Sequence, residues 1–451
     1  MINQLEQYIA DFSTWIWDWP LLVLLIGGGS FFLIYSRFTP FLYFKHAITV
    51  LSGKYDSHDE PGQLSHFQAL SAALAATVGM GNISGVAIAI VMGGPGAIFW
   101  MWVSAIFGMA TKFYTCTLAV MYRKVDADGK THGGPMYVIT KGLSKKWKPL
   151  AVFFALAGLV GTMPAFTSNQ LTQTLVEVLP FEFANIFAYK LTIGFILAGL
   201  ASLVVFGGIN RIGAVASRLV PFMVVLYFVA VFSILIIQID EIPNMFRLIF
   251  TDAFSAQAVA GGALGYLIKT GIKRAAFSNE AGVGTAPMMH GNAKTNIAVR
   301  EGLVAMIGPA IDTLLVCTLT ALAILSTGVW EDGTSNGISL TLKAFNAVLP
   351  YNLGSIVLTT VLLVFGLSTL FSYAHYGTTC LGFLTKPKYG KYYNYFYIFS
   401  IVVAAVIKLE LAINIIDSAF ALMAIPTVIS AVLLSKKVNV AAKQYFKALR
   451  N

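Results

Sequence analysis

Residues 74–85 read LAATVGMGNISG, so three glycines and an asparagine interrupt a stretch otherwise apolar enough to cross a membrane. Glycine weakens a helix, and backbone groups released from it must find partners where there is no bulk water. Such a break is tolerated where the freed N–H and C=O groups line a cavity and bind a ligand. The chemistry on offer is therefore main-chain dipoles at mid-membrane, suited to an ion or a zwitterion. No group supports covalent catalysis: no His with carboxylates, no nucleophile beside a base and no metal-ligand spacing recurs along the chain. That excludes a membrane enzyme. GVGTAP at 282–287 is no phosphate cradle, because no strand precedes it and no GK[ST] follows.

Ionisable residues inside apolar spans are few, and each has two readings. Asp312 and Asp417 are intramembrane carboxylates, by default functional. Asp312 is a candidate for the ion path or a gate, or else is a carboxylate satisfied by neighbours such as Thr313. Glu280, in FSNEAGVGTAP, is a candidate gate contact to Lys273, Arg274 or the loop 124–148. His375 is a proton relay or a packed imidazole among aromatic neighbours. Lys112 snorkels or pairs with a carboxylate, and His132 and His290 are assigned to loops without metal partners. Cys116, Cys317 and Cys380 lie far apart in apolar spans and read as small buried hydrophobes.

The elements that position these residues are membrane helices. Of 451 residues, 57% are hydrophobic and only 11% charged, with mean hydropathy +0.76. A soluble chain carries roughly a quarter charged residues. Apolar runs predict an all-α polytopic protein with eleven helices near 20–43, 67–92, 95–122, 149–178, 186–206, 211–238, 253–278, 300–328, 353–384, 393–408 and 410–434. No cleavable signal peptide is expected, since residues 1–19 carry no basic residue, and Trp15, Trp17 and Trp19 read as an interfacial belt.

The net charge of +10 would suggest nucleic acid in a soluble protein, but its placement speaks to topology instead. With the N-terminus outside, 25 of the 30 Lys and Arg fall on the inner side, which sets the C-terminus in the cytoplasm. The reading is a multi-pass protein of a cell (inner) membrane. Ten helices remain after the first, and they split into 67–238 and 253–434, between an N-terminal helix and linker at 1–66 and a basic cytoplasmic tail at 435–451. Five is odd, so the second half enters from the opposite face as an inverted repeat. Its glycine interruption is read at AGGALG, 260–265. Paired breaks of this kind mark a midplane site; alternatively Gly261, Gly262 and Gly265 only permit close helix packing.

At these residues the chain resembles a known family. VGMGNISGVAIAIVMGGPGAIFWMW (78–102), HGGPMY (132–137) and KRAAFSNEAGVGTAP (273–287) together are similar to the alanine/glycine:cation symporter family, over about residues 65–435. That resemblance implies the leucine-transporter fold, a five-plus-five inverted repeat, and sodium-coupled uptake of small neutral amino acids by a monomer without an organic cofactor. Under it, the N–H groups of Gly79, Met80, Gly81 and Asn82 hold the substrate carboxylate, which a half-helix N-terminus suits. The ammonium goes to carbonyls near Gly261 and Gly262. Na⁺, a hard cation preferring oxygen, is implied at the carbonyls of Ala75, Val78 and Phe365 with the hydroxyls of Ser368 and Thr369. These hydroxyls alternatively bond back to their own helix. Thr77 and Asn82 match a second ion position of the wider fold.

Two departures concern the pocket. Thr167 stands where the family commonly has Gln, and Tyr373 where it often has Trp. Tyr in place of Trp frees volume and adds a hydroxyl, so serine or glutamine joins alanine and glycine as an expected substrate. A proton-coupled transporter of the same fold and a non-transporting amino-acid sensor are the rival readings. The neutral oxygens at Ala75, Val78, Ser368 and Thr369 favour Na⁺ over a proton.

Overall fold

The structure, a computed structural model, describes residues 2–56, 59–178, 185–255, 263–333, 335–351 and 353–450. Nearly every element is a helix. A two-stranded antiparallel ribbon, Lys124–Val125 with Thr131–His132, is the sheet found among the described residues. Among the described residues, eight helices are long and apolar enough to cross a membrane, and the pair His66–Thr77 and Met80–Gly93, bent by 44°, makes a ninth.

Most expected spans coincide with helices. Ala97–Met121, Ile186–Val205, Gly208–Ile237 and Leu353–Leu384 fall where the apolar runs place them. The differences have physical causes. The first span is Trp19–Tyr35, preceded by a helix Ile2–Ile16 and ended by left-handed backbone at Arg37 (φ 54°) and Phe38 (φ 59°). Within the expected span 253–278 the described helix is Ala263–Asn279, which carries Lys269, Lys273 and Arg274, and a separate helix Ile242–Ala253 precedes the span. Lys269 reaches Asp18 at 3.0 Å and Lys273 reaches Asp417 at 2.6 Å, so these cations are neutralised against the first and last spans. The last helix runs Leu409–Ala448. Its end is anchored: Tyr43 stacks on Phe446 with centroids 3.6 Å apart, and Tyr445 bonds His46 at 2.8 Å.

The first break is built by local chemistry. Ser65 and Gln68 form a capping box that starts the alanine-rich helix His66–Thr77. Val78 then leaves helical geometry (ψ 99°), Gly79 is extended, and a new helix starts at Met80. The N–H of Gly79 donates to Asn82 Oδ1 at 2.9 Å, so the asparagine caps the half-helix it belongs to.

The break expected at AGGALG falls largely outside the described residues: Gly261 and Gly262 are not among them, and Gly265 sits within the helix Ala263–Asn279. A break that the sequence reading did not place lies further on, where helix ends at Asn279 and resumes at Thr285, across Glu280 (φ 54°), Gly282 (φ 90°) and Gly284 (φ 105°). Two glycines in alternate positions supply the left-handed backbone this turn requires. The breaks touch: a Cβ at Gly81 would lie 3.5 Å from Ser278 Cα, and Asn82 Nδ2 donates to Ser278 Oγ at 3.1 Å.

Candidate substrate and ion site

Where the two breaks meet, they wall a cavity of about 30 Å³. That is room for roughly two waters, at about 10–15 Å³ each, so this conformation closes tightly around anything small. Thr77, Gly79, Met80 and Gly81 line the cavity from the first break, and Phe277 and Glu280 from the second. Thr167, Thr369 and Tyr373 line it from two further helices. Asn82 stands behind the wall, fully buried, as the cap of Gly79. The carbonyls near Gly261 and Gly262, expected to take an ammonium, fall outside the described residues.

Beside the cavity, four of the five expected sodium ligands converge. Ser368 Oγ and Thr369 Oγ1 lie 3.2 and 3.1 Å from the carbonyl oxygen of Ala75. The same hydroxyls lie 2.7 and 3.1 Å from the carbonyl of Phe365. Back-bonding within the helix and reach across to the broken segment therefore occur together. Val78, the fifth, closes the preceding half-helix, and a Cβ added at Gly79 would fall 2.8 Å from Thr369 Oγ1, which sets the Val78–Gly79 peptide against that hydroxyl. Such a set of carbonyl and hydroxyl oxygens suits a hard monovalent cation.

Asp312 does not line the cavity; it ties the two breaks together. It lies on a π-helical stretch, Ala310–Cys317, within the span Ala298–Leu325, and π turns often occur at functional sites. Its Oδ1 accepts from Asn82 Nδ2 at 2.7 Å. Its Oδ2 accepts from Ser278 Oγ at 2.7 Å and Thr313 Oγ1 at 2.9 Å. The carboxylate is thus satisfied by neighbours, Thr313 among them, and bonded to both broken helices.

Glu280 corrects an expectation. It makes no gate contact with Lys273, Arg274 or the loop 124–148. The positive-φ turn points it inward, where it is 1% exposed and accepts hydrogen bonds from Thr285 and Tyr373. Lys273 is instead held by Asp417. Lys112 is buried as well, so it does not snorkel, and it lies within electrostatic reach of Asp312 and Glu280. His290 is not a loop residue without partners. With His66 it brackets the two oxygens of the buried Glu301, joining the start of the first broken helix to the end of the second. His375 is a packed imidazole, bonded by Asn292 at 3.2 Å. The three cysteines are buried and unpaired.

Sequence reasoning missed the apolar lining residues Met163, Phe166 and Ile416. An apolar residue in a membrane helix carries no mark of which face it presents. Phe277 and Glu280 were legible in principle, because they sit in the same motif as Gly282 and Gly284.

The chain matches the model of the sodium:alanine symporter family over residues 2–451. It is 39% identical to the sodium/alanine symporter AgcS of Methanococcus maripaludis, covering 97% of each chain. It is 36% identical to the probable sodium/glutamine symporter GlnT of Bacillus subtilis, covering 98% of this chain and 91% of that one. Among solved structures it resembles MhsT in complex with L-phenylalanine, with TM-score 0.60 and 14% identity over 81% of this chain and 88% of that one; this likeness concerns the fold. These relatives are membrane transporters rather than enzymes, and the chain belongs to the sodium:alanine symporter family.

Proposed function

We propose that the protein is a sodium-coupled symporter that brings small neutral amino acids into the cell by alternating access. The observation carrying this reading is the adjacency of two sites. The cavity between the breaks and the oxygen cluster of Ala75, Phe365, Ser368 and Thr369 share Thr369, whose hydroxyl lies against Gly79. An ion ordering that hydroxyl also orders a wall of the cavity, and linkage then requires each ligand to strengthen the other.

In this proposal eleven helices form an N-terminal helix plus two inverted halves, 67–238 and 253–434, in a monomer with its N-terminus outside and its C-terminus in the cytoplasm. Na⁺ sits among the carbonyls of Ala75, Val78 and Phe365 and the hydroxyls of Ser368 and Thr369. The substrate carboxylate meets the N–H groups at Met80 and Gly81, the Gly79 N–H being held by Asn82, where the Met80–Gly93 half-helix presents its positive end. Thr77, Thr167 and Tyr373 shape the remaining wall, with Asn82 and Asp312 bracing the break. A cavity this small favours alanine and glycine; the Tyr373 hydroxyl extends the range to serine or glutamine.

The test is uptake by reconstituted proteoliposomes. Labelled alanine, glycine, serine and glutamine are offered with and without an inward Na⁺ gradient. Stimulated uptake of at least one is expected, and no stimulation of any would remove the reading. A second reading, proton coupling, is favoured by one observation, the carboxylate of Glu280 in the cavity wall. It predicts uptake driven by an inward proton gradient without Na⁺.

A further inference from the structure

The cavity is charged unevenly. The first break brings the N-terminal, positive end of the Met80–Gly93 half-helix to the cavity lining at Met80 and Gly81. The second brings the carboxylate of Glu280, buried within its break, to the same lining. Both Glu280 oxygens are held by hydroxyls, Oε1 by Tyr373 and Oε2 by Thr285. No cation pairs with it within 4.0 Å among the described residues, whereas Asp417, Asp18 and Glu6 each have a lysine. A buried carboxylate with hydroxyl partners alone is under-compensated. A second polar group in the same wall is also incomplete. Thr77 is 6% exposed, lines the cavity, and its hydroxyl has no hydrogen-bond partner among the described residues.

We propose that Glu280 is the binding group for the substrate's ammonium, with Tyr373 holding its Oε1 until the ammonium displaces that hydroxyl. This inference rests on the amino-acid symport reading and specifies how that site recognises its substrate. A zwitterion fits the cavity's polarity end to end: its carboxylate at the half-helix N-terminus, its ammonium at Glu280, and the Thr77 hydroxyl free to bond either end. The ligand class follows. Substrates carry a free primary α-ammonium beside the carboxylate, and N-acylated amino acids and 2-hydroxy acids are rejected. Tyr373 then acts as a stand-in donor, and its place in the motif FSYAHYG is a specificity position rather than filler.

The experiment compares equilibrium binding of alanine and of lactate, which replaces the ammonium by a hydroxyl, to the purified full-length protein in saturating Na⁺. Wild type is expected to prefer alanine over lactate by on the order of 100-fold or more, as sites built around a buried polar group do. Glu280→Gln should weaken alanine by about that factor, leave lactate within about threefold, and so collapse the preference, while Na⁺ binding without amino acid is retained. A structural role would weaken both ligands and Na⁺ together, and that result overturns the proposal. Glu280→Gln with an unchanged alanine-to-lactate ratio overturns it too. Should Glu280→Gln fail to fold, Tyr373→Phe decides. Freed of its stand-in, Glu280 should bind alanine several-fold tighter and lactate no tighter; alanine no tighter than wild type overturns the proposal. Wild type that binds no amino acid in Na⁺ removes the symport reading and this inference with it. Wild type that binds alanine while Glu280→Gln keeps the preference removes the inference alone.

Discussion

Thr369 Oγ1 lies 3.1 Å from the carbonyl oxygen of Ala75, and a Cβ placed on Gly79 would come within 2.8 Å of the same hydroxyl. One side chain on the Leu353–Leu384 helix thus faces both the proposed ion position and the broken segment that walls the cavity. Thr369→Val keeps the shape and removes the oxygen. It is expected to raise the Na⁺ concentration for half-maximal uptake by about tenfold or more, the equivalent of about 1.4 kcal/mol, with expression and melting temperature near wild type. The Na⁺ titration of alanine uptake checks this; an unchanged midpoint clears Thr369 of the role.

Gly79→Ala adds a methyl where none fits. The collision at Thr369 must be relieved by moving the hydroxyl or the break, so alanine and Na⁺ binding should both fall by about tenfold or more. Gly199, in the lipid-facing Ile186–Val205 helix, has nothing within 4 Å of an added Cβ. Gly199→Ala is therefore expected to leave transport intact and to hold or raise stability by up to about 1 kcal/mol. Paired thermal melts and uptake assays distinguish the two.

Asp312 gathers donors from Asn82, Ser278 and Thr313. Asp312→Ala orphans buried groups on both broken helices, at about 1–3 kcal/mol each. The expected result is a marked fall in melting temperature together with loss of uptake. Thr313→Ala removes one donor of three and should cost about 1 kcal/mol with uptake preserved. Equal effects of the two changes would contradict the bracing role.

Glu301, fully buried, carries His66 on one oxygen and His290 on the other. Glu301→Gln retains volume, removes the charge and turns one acceptor oxygen into an NH2 donor, so one of the two imidazoles loses its acceptor and both lose the charge. Destabilisation of about 3–5 kcal/mol is expected, as when one partner of a buried pair is deleted. Thermal unfolding in detergent measures it, and a melting temperature equal to wild type would show the cluster to be dispensable.

The helices were legible because about 20 apolar residues in a row leave little alternative to a membrane span. The break at Gly79 was legible because glycines beside Asn82 have no packing reason at that depth. The break at 280–284 was missed for a physical reason. Its turn needs positive φ at alternate positions, which Gly282 and Gly284 provide and a search for adjacent glycines does not detect. Glu280 was misassigned along with it, since a residue's direction at a break follows from backbone geometry. Ser368 and Thr369 were found through family resemblance, while Met163, Phe166 and Ile416 reach the cavity only through tertiary packing.

The central claim is that ion and amino acid occupy adjoining sites that share Thr369. Equilibrium binding of alanine to the purified protein across a Na⁺ series, with Na⁺ binding measured across an alanine series, tests it most directly. The account predicts that saturating Na⁺ tightens alanine by some factor of about 5–150 and that saturating alanine tightens Na⁺ by the same factor. Alanine affinity that is flat across the Na⁺ series would contradict it.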